Sequence, residues 1–255
     1  MIQIDKATLL SRLHVKGNPL ILFNIWDAGS AKSIQEIGAK VIATSSWSVA
    51  TAHGYLDGEE LPFSLVLANL KRIIASVELP VTIDLEGGYS KDSALLEKNV
   101  IKIIEEGAVG INFEDQIVGE EGLYSIEEQC KKIKAIRRAA DSTSVPIFIN
   151  ARTDVFFKKD SLNSNDSLKE AINRALAYAD SGADGFFVPG LMDVKYIEKL
   201  CTISPIPINI MIQATTPSLK QLAELGVARI SYGPGPYCQA MAALQEDGRK
   251  VFSIL

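Results

Sequence analysis

Eight short apolar or β-branched runs alternate along this chain with longer stretches in which apolar residues recur at helical spacing. Nearly continuous apolarity is typical of parallel strands that are covered on both faces, so the alternation predicts repeated β/α units. The predicted strands are Leu20–Ile25, Lys40–Ser45, Pro80–Leu85, Val109–Phe113, Val145–Ile149, Gly185–Val188, Ile206–Ile210 and Arg229–Tyr232.

The stretches between these runs carry helix signals. Amphipathic patterns cover Ser30–Ile37, Ser64–Val77, Asp92–Glu106 and Ser167–Ser181, and the glycines at 38, 107, 182 and 226 are in position to end helices. Ser125 and Glu128 form a capping box that opens the fourth helix, and this helix places Cys130 on its apolar face. We therefore interpret Cys130 as a core residue.

Eight alternations in 255 residues fit a (β/α)8 TIM barrel, whose usual length is about 250 residues. An open doubly wound sheet would give a similar pattern. The barrel accounts better for the polar residues, because it gathers the carboxyl ends of all strands at one face. We predict one barrel domain over residues 1–255, with residues 1–18 as an N-terminal helical extension.

Composition narrows the class of protein. A net charge of -5 with dispersed Lys and Arg argues against a nucleic-acid surface, although a small anionic substrate remains compatible. The sequence has no run of about 18 apolar residues and its first residues lack an apolar block, so we expect a cytoplasmic protein that does not bind membranes. The three cysteines are far apart and are expected to be reduced structural thiols.

Acidic residues follow the second, third and fourth predicted strands. Asp84 and Glu86 are two residues apart and point to the same side, Glu114 ends the neighbouring strand, and Asp57 lies on a glycine-flanked loop. Carboxylates at this spacing would repel unless a cation or a proton lay between them, and hard oxygen ligands favour Mg²⁺ or Mn²⁺. The alternative is a set of helix caps and exposed loop acids, to which we assign Asp115.

Other polar groups accompany these acids. Asn150, Arg152 and Asp154 follow the fifth predicted strand, where Arg152 either holds a substrate carboxylate or braces the barrel rim in a salt bridge. The segment TSSWS offers hydroxyl and backbone N–H groups that could cradle an anion. His14 is expected to be superficial, and His53 has no evident partner.

The ordered motifs TSSWSVATAHGYLDGEEL, IDLEGGYS, GINFEDQ, INARTD and ADGFFVPG resemble the isocitrate lyase and phosphoenolpyruvate mutase superfamily over about residues 24–232. The resemblance implies a Mg²⁺-dependent barrel enzyme that acts on 2-oxo or 2-hydroxy acids through a pyruvate-type enolate. It implies that Asp84 is a direct metal ligand and that Asp57, Glu86 and Glu114 bind the metal directly or through water.

The resemblance also assigns residues to the substrate. Ser45 and the neighbouring backbone N–H groups would hold its carboxylate, and Arg152 would neutralise charge at the reacting centre. We accordingly expect chemistry to involve Arg152, Asp57 and Glu114. The expected substrate-binding residues are Ser45, Ser46, Trp47, Arg152 and Asn209.

One loop departs from the pattern of the best-known members. Isocitrate and methylisocitrate lyases carry a catalytic Cys in a Lys-Lys/Arg-Cys-Gly-His motif after the fourth strand, whereas this chain reads QIVGEEGLYS. The Lys and Asn or Thr of the phosphonate enzymes are also missing. The chain looks most like the less characterised oxo-acid lyase subgroup, and its candidate proton donors are Glu120, Glu121, Tyr124 and Tyr55.

Three functions remain open at this stage. The first choice is a Mg²⁺-dependent carbon–carbon lyase or decarboxylase of a small oxo or hydroxy acid. The alternatives are phosphoenolpyruvate mutase or phosphonopyruvate hydrolase chemistry, and a metabolite-binding protein without turnover. Members of the superfamily commonly form dimers or tetramers, often by exchanging the eighth helix, which here is predicted at residues 235–251.

Overall fold

Eight parallel strands form one sheet in the computed structural model of this protein, which describes residues 1–157 and 164–253. The strands are β1 Leu20–Leu22, β2 Ile42–Ala43, β3 Val81–Asp84, β4 Gly110–Glu114, β5 Phe148–Arg152, β6 Gly185–Phe187, β7 Ile208–Met211 and β8 Arg229–Ser231.

Neighbouring strands in the sheet follow chain order from β2 to β8, and β8 pairs with β1. The ends of β1 and β2 meet just beyond the named strands, where the Ile25 N–H donates to the Ala43 carbonyl over 2.8 Å and the Ser45 N–H donates to the Ile25 carbonyl over 3.1 Å. The sheet is therefore a nearly closed barrel. This confirms the predicted (β/α)8 class and excludes the open doubly wound alternative.

Helices alternate with the strands as the sequence pattern predicts. Within the described residues, none is both long and apolar enough to cross a membrane. The helices are α1 Gln3–Arg12, α2 Ala28–Glu36, α3 Ser46–Ala52, α4 Phe63–Ser76, α5 Ser93–Glu105, α6 Ile126–Thr143, α7 Asn165–Asp180, α8 Val194–Ile203, α9 Leu219–Glu224 and α10 Gly235–Phe252, with a 3-10 turn at Val155–Phe157.

Local signals in the sequence locate the helix ends well. The capping box of Ser125 and Glu128 is present at the start of α6, and Cys130 packs against the core. The four glycines proposed to end helices all have positive φ, between 88° and 106°. This left-handed conformation is nearly free of steric cost for glycine, so the helix-end predictions are confirmed.

The fifth strand begins later than predicted. The expected strand Val145–Ile149 is wrong, because the structure has Phe148–Arg152, and Asn150 and Arg152 therefore lie inside β5 rather than after it. Asn150 faces Asn112 in the register of β4 with β5, and Arg152 faces Glu114. Polar side chains line the barrel interior near its carboxyl end, so the apolar run ends before the strand does.

Helix α1 covers the opposite, amino-terminal end of the barrel. The side-chain amide of Gln3 donates to the carbonyls of Ile104 and Ala108, over 2.7 and 3.1 Å. His14 follows this helix and stacks on Phe148 with a centroid distance of 3.9 Å. The expectation of a superficial His14 is wrong, and burial lowers the pKa of this imidazole to about 3, so that it is neutral at physiological pH.

Helix α10 leaves one face of the barrel uncovered. Of its 18 residues, only Pro236 is buried, and Leu244 and Phe252 are 66% and 78% exposed. On the outer face of β1, Ile21 and Phe23 remain 40% and 37% exposed beside a groove of about 430 Å³. In a barrel whose other strands are screened by helices, this apolar strand face lacks a cover within the described chain.

Gly88 gives a test of the turn that follows β3. It has φ +88°, and a Cβ atom there would lie 2.2 Å from Leu96 Cδ1. We expect Gly88→Ala to lower the free energy of unfolding by about 2–5 kcal/mol, because left-handed strain and overpacking add. Gly54→Ala, at φ +81° in open space, should cost only about 1 kcal/mol. Denaturant unfolding measures both, and equal losses would contradict this account of the turn.

Candidate active site

A cavity of about 190 Å³ opens at the carboxyl ends of the strands. It is smaller than the roughly 300–1,000 Å³ clefts that hold drug-sized ligands, which suits a small metabolite. One side of its lining is polar and the other largely apolar. The lining residues are Asn24, Ser45, Ser46, Trp47, Asp57, Asp84, Asn112, Arg152, Phe157, Phe187, Pro189, Met211, Ser231, Gly233 and Pro234.

Asp84 is the last residue of β3, and within the described chain only one of its two carboxylate oxygens accepts hydrogen bonds. Its Oδ2 accepts hydrogen bonds from the Ser46 hydroxyl over 3.0 Å and from the Ser46 N–H over 3.3 Å. Its Oδ1 is buried and has no hydrogen-bond partner among the residues that the structure describes. A buried carboxylate oxygen without a partner is costly, which marks this atom as the natural ligand for a cation.

The segment from Ser45 to Trp47 forms the start of helix α3, which the sequence pattern did not predict. The Ser45 hydroxyl accepts from the Ser48 N–H over 3.4 Å and so caps this helix. Both serines are buried, whereas Trp47 is 37% exposed and contacts the edge of Tyr237 at a centroid distance of 5.9 Å. Ser45, Ser46 and Trp47, all predicted to bind substrate, line the cavity.

Two further carboxyl groups lie close to Asp84. Loss of surrounding water, and then the charge of Asp84, raise the pKa of Asp57. Loss of water, and then the charges of Asp57 and Asp84, raise the pKa of Glu86 to about 8. Mutual repulsion of these carboxylates indicates a site that a cation would stabilise.

Glu86 is held beside the cavity in a strained backbone conformation. Its φ of +52° is unusual for a residue with a side chain. Its Oε2 accepts from the N–H groups of Gly58 and Glu59, over 2.8 and 2.9 Å. These bonds fix the loop that carries Asp57 against the turn that follows β3. Left-handed strain of this kind, stored beside a cluster of acids, is typical of functional sites.

Arg152 connects Glu114 to Asp154. Its Nε and Nη2 donate to the two carboxylate oxygens of Asp154 over 2.6 and 2.8 Å, and its Nη1 lies 2.9 Å from Glu114 Oε2. Burial raises the pKa of Glu114 well above its usual range despite this cation. The salt bridge expected as the structural alternative is therefore present, and Arg152 also lines the cavity.

Asp115 has a structural role, but the expectation of an exposed loop acid is wrong. It is completely buried, where it pairs with Arg174 over 2.8 Å and accepts a hydrogen bond from the Tyr178 hydroxyl over 2.8 Å. Its neighbour Glu114 points to the barrel interior instead. The alternation of side chains along the end of β4 thus separates a structural acid from a site acid.

Several predicted residues lie outside the cavity lining. Asn209 is buried in β7, where its Oδ1 accepts from the Ser231 hydroxyl over 3.1 Å. Among the candidate proton donors, Glu120 forms an ion pair with Lys91, and the ring of Tyr124 lies under the Lys132 ammonium. None of the four candidate donors lines the cavity.

Sequence reasoning missed other residues that line the cavity. Asn112 in β4 was not singled out, although it stands two residues before Glu114 and so shares its side of the strand. That spacing was the available signal. The apolar wall, which includes Phe187 and Met211, carries no signal in the sequence because strand residues of this type are usually core.

The donor set fits a hard divalent ion that keeps part of its water shell. In the described part of the chain, no three His, Cys, Asp or Glu side chains converge tightly enough to enclose a metal by themselves. Mg²⁺ is usually held by one or two carboxylates while it retains several waters. Asp84, with its unpartnered oxygen, and the nearby Asp57 and Glu86 meet that requirement.

A (β/α)8 barrel with acids, an arginine and a small cavity at the carboxyl ends of its strands is typical of barrel enzymes that act on small molecules. The model of the family described as phosphoenolpyruvate phosphomutase matches residues 10–252. The chain belongs to this family and so to the isocitrate lyase/PEP mutase superfamily.

Similar proteins carry the names of phosphonate enzymes, of carbon–carbon lyases and of a decarboxylase. A crystal structure from Burkholderia cenocepacia J2315, provisionally named a phosphonomutase, is 44% identical, with a TM-score of 0.94 and coverage of 97% of this chain and 99% of that one. The 2-methylisocitrate lyase of Salmonella typhimurium is 28% identical over 94% of this chain and 81% of its own length. The oxaloacetate decarboxylase of Pseudomonas fluorescens is 26% identical over 89% and 78%.

The pKa of Glu86 generates a prediction for the metal-free protein. Between the unfolded value of 4.5 and the folded value of about 8, the folded state binds more protons than the unfolded state. The contribution of the Glu86 carboxyl to the free energy of unfolding is therefore greatest below pH 4.5 and is lost as the pH rises toward 8. We expect the melting temperature without metal to fall over this range, and Glu86→Gln to flatten the decline.

Glu105→Gln is the matched control, because Glu105 is exposed at the end of α5, at the amino-terminal end of the barrel. It should follow the wild-type pH dependence. Differential scanning calorimetry in buffers with a chelator makes the measurement. A Glu86→Gln protein with the wild-type pH slope would show that this carboxyl does not hold its proton in the folded state.

Proposed function

We propose that this protein is a Mg²⁺-dependent carbon–carbon lyase or decarboxylase that acts on a small 2-oxo or 2-hydroxy acid through a pyruvate-type enolate. The observation that carries the proposal is the buried, unpartnered Oδ1 of Asp84 at the cavity, with the carboxyls of Asp57 and Glu86 close by. Such a cluster is stable only with a cation or with extra protons.

The metal would be held mainly by Asp84. Asp57, Glu86 and Glu114 would bind it directly or through water, and Mn²⁺ is an alternative ion with the same oxygen preference. When bound, the ion would act as a Lewis acid that polarises the substrate carbonyl and stabilises charge as it develops. Ser46 orients Asp84 for this role through two hydrogen bonds.

The substrate would be held by groups on the polar side of the cavity. Arg152 supplies positive charge, and Glu114, through its ion pair, fixes the position of that guanidinium. The N–H and hydroxyl groups of the Ser45–Trp47 segment would bind the carboxylate. Asn209 does not line the cavity, and its buried Nδ2 has no partner among the described residues, so it would support the site from within β7 rather than contact the substrate.

A second candidate function is phosphonate chemistry, either as a mutase or as a phosphonopyruvate hydrolase. It is favoured by the 44% identity to the Burkholderia cenocepacia protein. Against it, Arg152 is the single cationic side chain in the lining formed by the described residues, and two carboxylates already neutralise it. A phosphonate dianion carries more negative charge than a carboxylate, and beyond the metal the lining would offer it no further net positive charge.

The test is release of pyruvate or glyoxylate from oxaloacetate, methylisocitrate, isocitrate and phosphonopyruvate. Each reaction is run with Mg²⁺ and again with a chelator, and the decarboxylation of oxaloacetate by the metal alone is subtracted. Metal-dependent release from a carbon acid supports the lyase, whereas release from phosphonopyruvate alone supports the second candidate. No turnover with tight metal-dependent binding would indicate a binding protein instead.

Removal of the Asp84 carboxylate tests the metal site directly. Asp84→Ala should abolish Mg²⁺-dependent binding of oxalate, a stable mimic of the oxo-acid head, because the unpartnered oxygen and the metal are lost together. Glu105→Ala removes a remote exposed carboxylate and should bind oxalate as the wild type does. Isothermal titration calorimetry reports both, and unchanged affinity in Asp84→Ala would overturn the assignment.

We also infer that the chain forms a homodimer or homotetramer in which a second copy covers α10 and the outer face of β1. Supporting this are the single buried residue of α10, its exposed apolar side chains and the exposed Ile21 and Phe23. An apolar surface of this kind on a stable protein is typical of an interface. The resemblance to oligomeric superfamily members points the same way.

Charged substitutions in this surface test the assembly. Leu244→Lys should shift the particle toward the monomer mass in size-exclusion chromatography with light scattering, because it places a charge in the proposed interface. Lys220→Glu, on the exposed surface of α9, is the control and should leave the mass unchanged. A monomeric wild-type protein at micromolar concentration would contradict the inference.

A further inference from the structure

Arg229 lies in the barrel interior beneath the cavity, where a cation is unexpected. The residue is 1% exposed, and in the sheet register it stands beside Asn209 of β7. Its Nη2 donates to Asn112 Oδ1 over 3.0 Å, while Nε and Nη1 have no hydrogen-bond partner in the described part of the chain. It forms no ion pair with any carboxylate of the described chain. Burial of an unpaired cation costs several kcal/mol, so packing alone gives no reason for it.

The bond from Arg229 fixes which way the amide of Asn112 faces. A guanidinium can only donate hydrogen bonds, so the Asn112 atom that meets it must be the oxygen. That oxygen also accepts from Asn150 Nδ2 over 2.8 Å, which uses both of its lone pairs. The amide nitrogen of Asn112 is thus directed away from this interior network.

Asn112 itself lines the cavity, next to Asp84 and Arg152. Within the described residues, its Nδ2 has no hydrogen-bond partner, whereas its Oδ1 accepts two hydrogen bonds. An amide N–H group cannot coordinate a cation. It is suited to an electron-rich oxygen of a bound acid, either a carboxylate or a carbonyl oxygen.

We propose that Asn112 is a substrate-binding residue that donates through Nδ2 to an oxygen of the acid, and that Arg229 is the positioning residue that holds this amide in the donating orientation. This rests on the proposed function, because it concerns the same cavity. Without Arg229, only the Asn150 amide still bonds the Asn112 oxygen, and because an amide offers both a donor and an acceptor, the two amides can turn together. The oxygen of Asn112 can then face an anionic ligand, which replaces attraction with repulsion.

Calorimetric titration with oxalate in the presence of Mg²⁺ tests the role of Asn112. Asn112→Ala should weaken oxalate binding roughly tenfold to hundredfold, the range for a lost hydrogen bond to a charged group. Asn112→Asp should weaken it further, since this isosteric change puts a second oxygen where the donor was. Mg²⁺ binding without oxalate should remain within about threefold of wild type in Asn112→Ala.

The two possible failures are distinguishable. If the wild type binds oxalate with Mg²⁺ and Asn112→Ala binds it equally well, the proposed function stands and the role of Asn112 is overturned. If the wild type does not bind oxalate, the proposed function fails and this inference fails with it.

A double-mutant cycle tests whether Arg229 acts through Asn112. Arg229→Met should weaken oxalate binding about tenfold in the wild-type background but less than about twofold in the Asn112→Ala background, because the group it positions is then absent. A purely structural role would give equal losses in both backgrounds, and that result overturns the assignment of Arg229.

Arg229→Lys provides the conservative variant, and it also serves if Arg229→Met does not fold. Lysine likewise only donates, so it still requires the Asn112 oxygen to face it. Its oxalate affinity should stay within about threefold of wild type while its melting temperature falls. A loss of affinity in Arg229→Lys as large as that in Asn112→Ala would contradict the positioning role.

Discussion

Repulsion among buried carboxylates is the constraint that organises this end of the barrel. Asp84 and Glu114 end their strands beside one cavity, Glu86 lies in the turn that follows β3, and each is restrained by a different means. Hydrogen bonds from Ser46 hold Asp84, two backbone N–H groups hold Glu86, and Arg152 pairs with Glu114. These partners leave one oxygen of Asp84 without a hydrogen-bond donor from the described residues, so this oxygen is the atom of the cluster best suited to meet a cation.

The barrel interior reflects the same demand. Between the strands and the outer helices the core is largely apolar, whereas the barrel interior at and below the cavity contains Asn112, Asn150 and Arg229. Buried polar groups with incomplete hydrogen bonding lower stability by about 1–3 kcal/mol each. A barrel selected only for stability would fill this layer with aliphatic side chains. The polar layer therefore represents stability given up to orient groups at the site.

The fold could be predicted because strand and helix periodicities are local properties of the sequence. The errors came where the site interrupts these periodicities. The prediction ended β5 at Ile149 because the rest of the strand, to Arg152, is polar, and the serine-rich start of α3 resembles a strand end. Carboxylates such as Asp84 stood out by spacing. The hydrogen bond between Asn112 and Arg229 could not be predicted, because the two residues are 117 positions apart and meet only when the barrel closes.

The charge state of Arg152 explains why the site needs more than one kind of attraction for an acid. Its guanidinium is held by Asp154 and Glu114, so it is preorganised and loses little conformational entropy on binding. The same two carboxylates offset its positive charge, which leaves it a weak attractor of anions by itself. Under the proposed function, orientation would come from Arg152 and from neutral donors, and the net attraction for an anionic substrate would come from a cation held at Asp84.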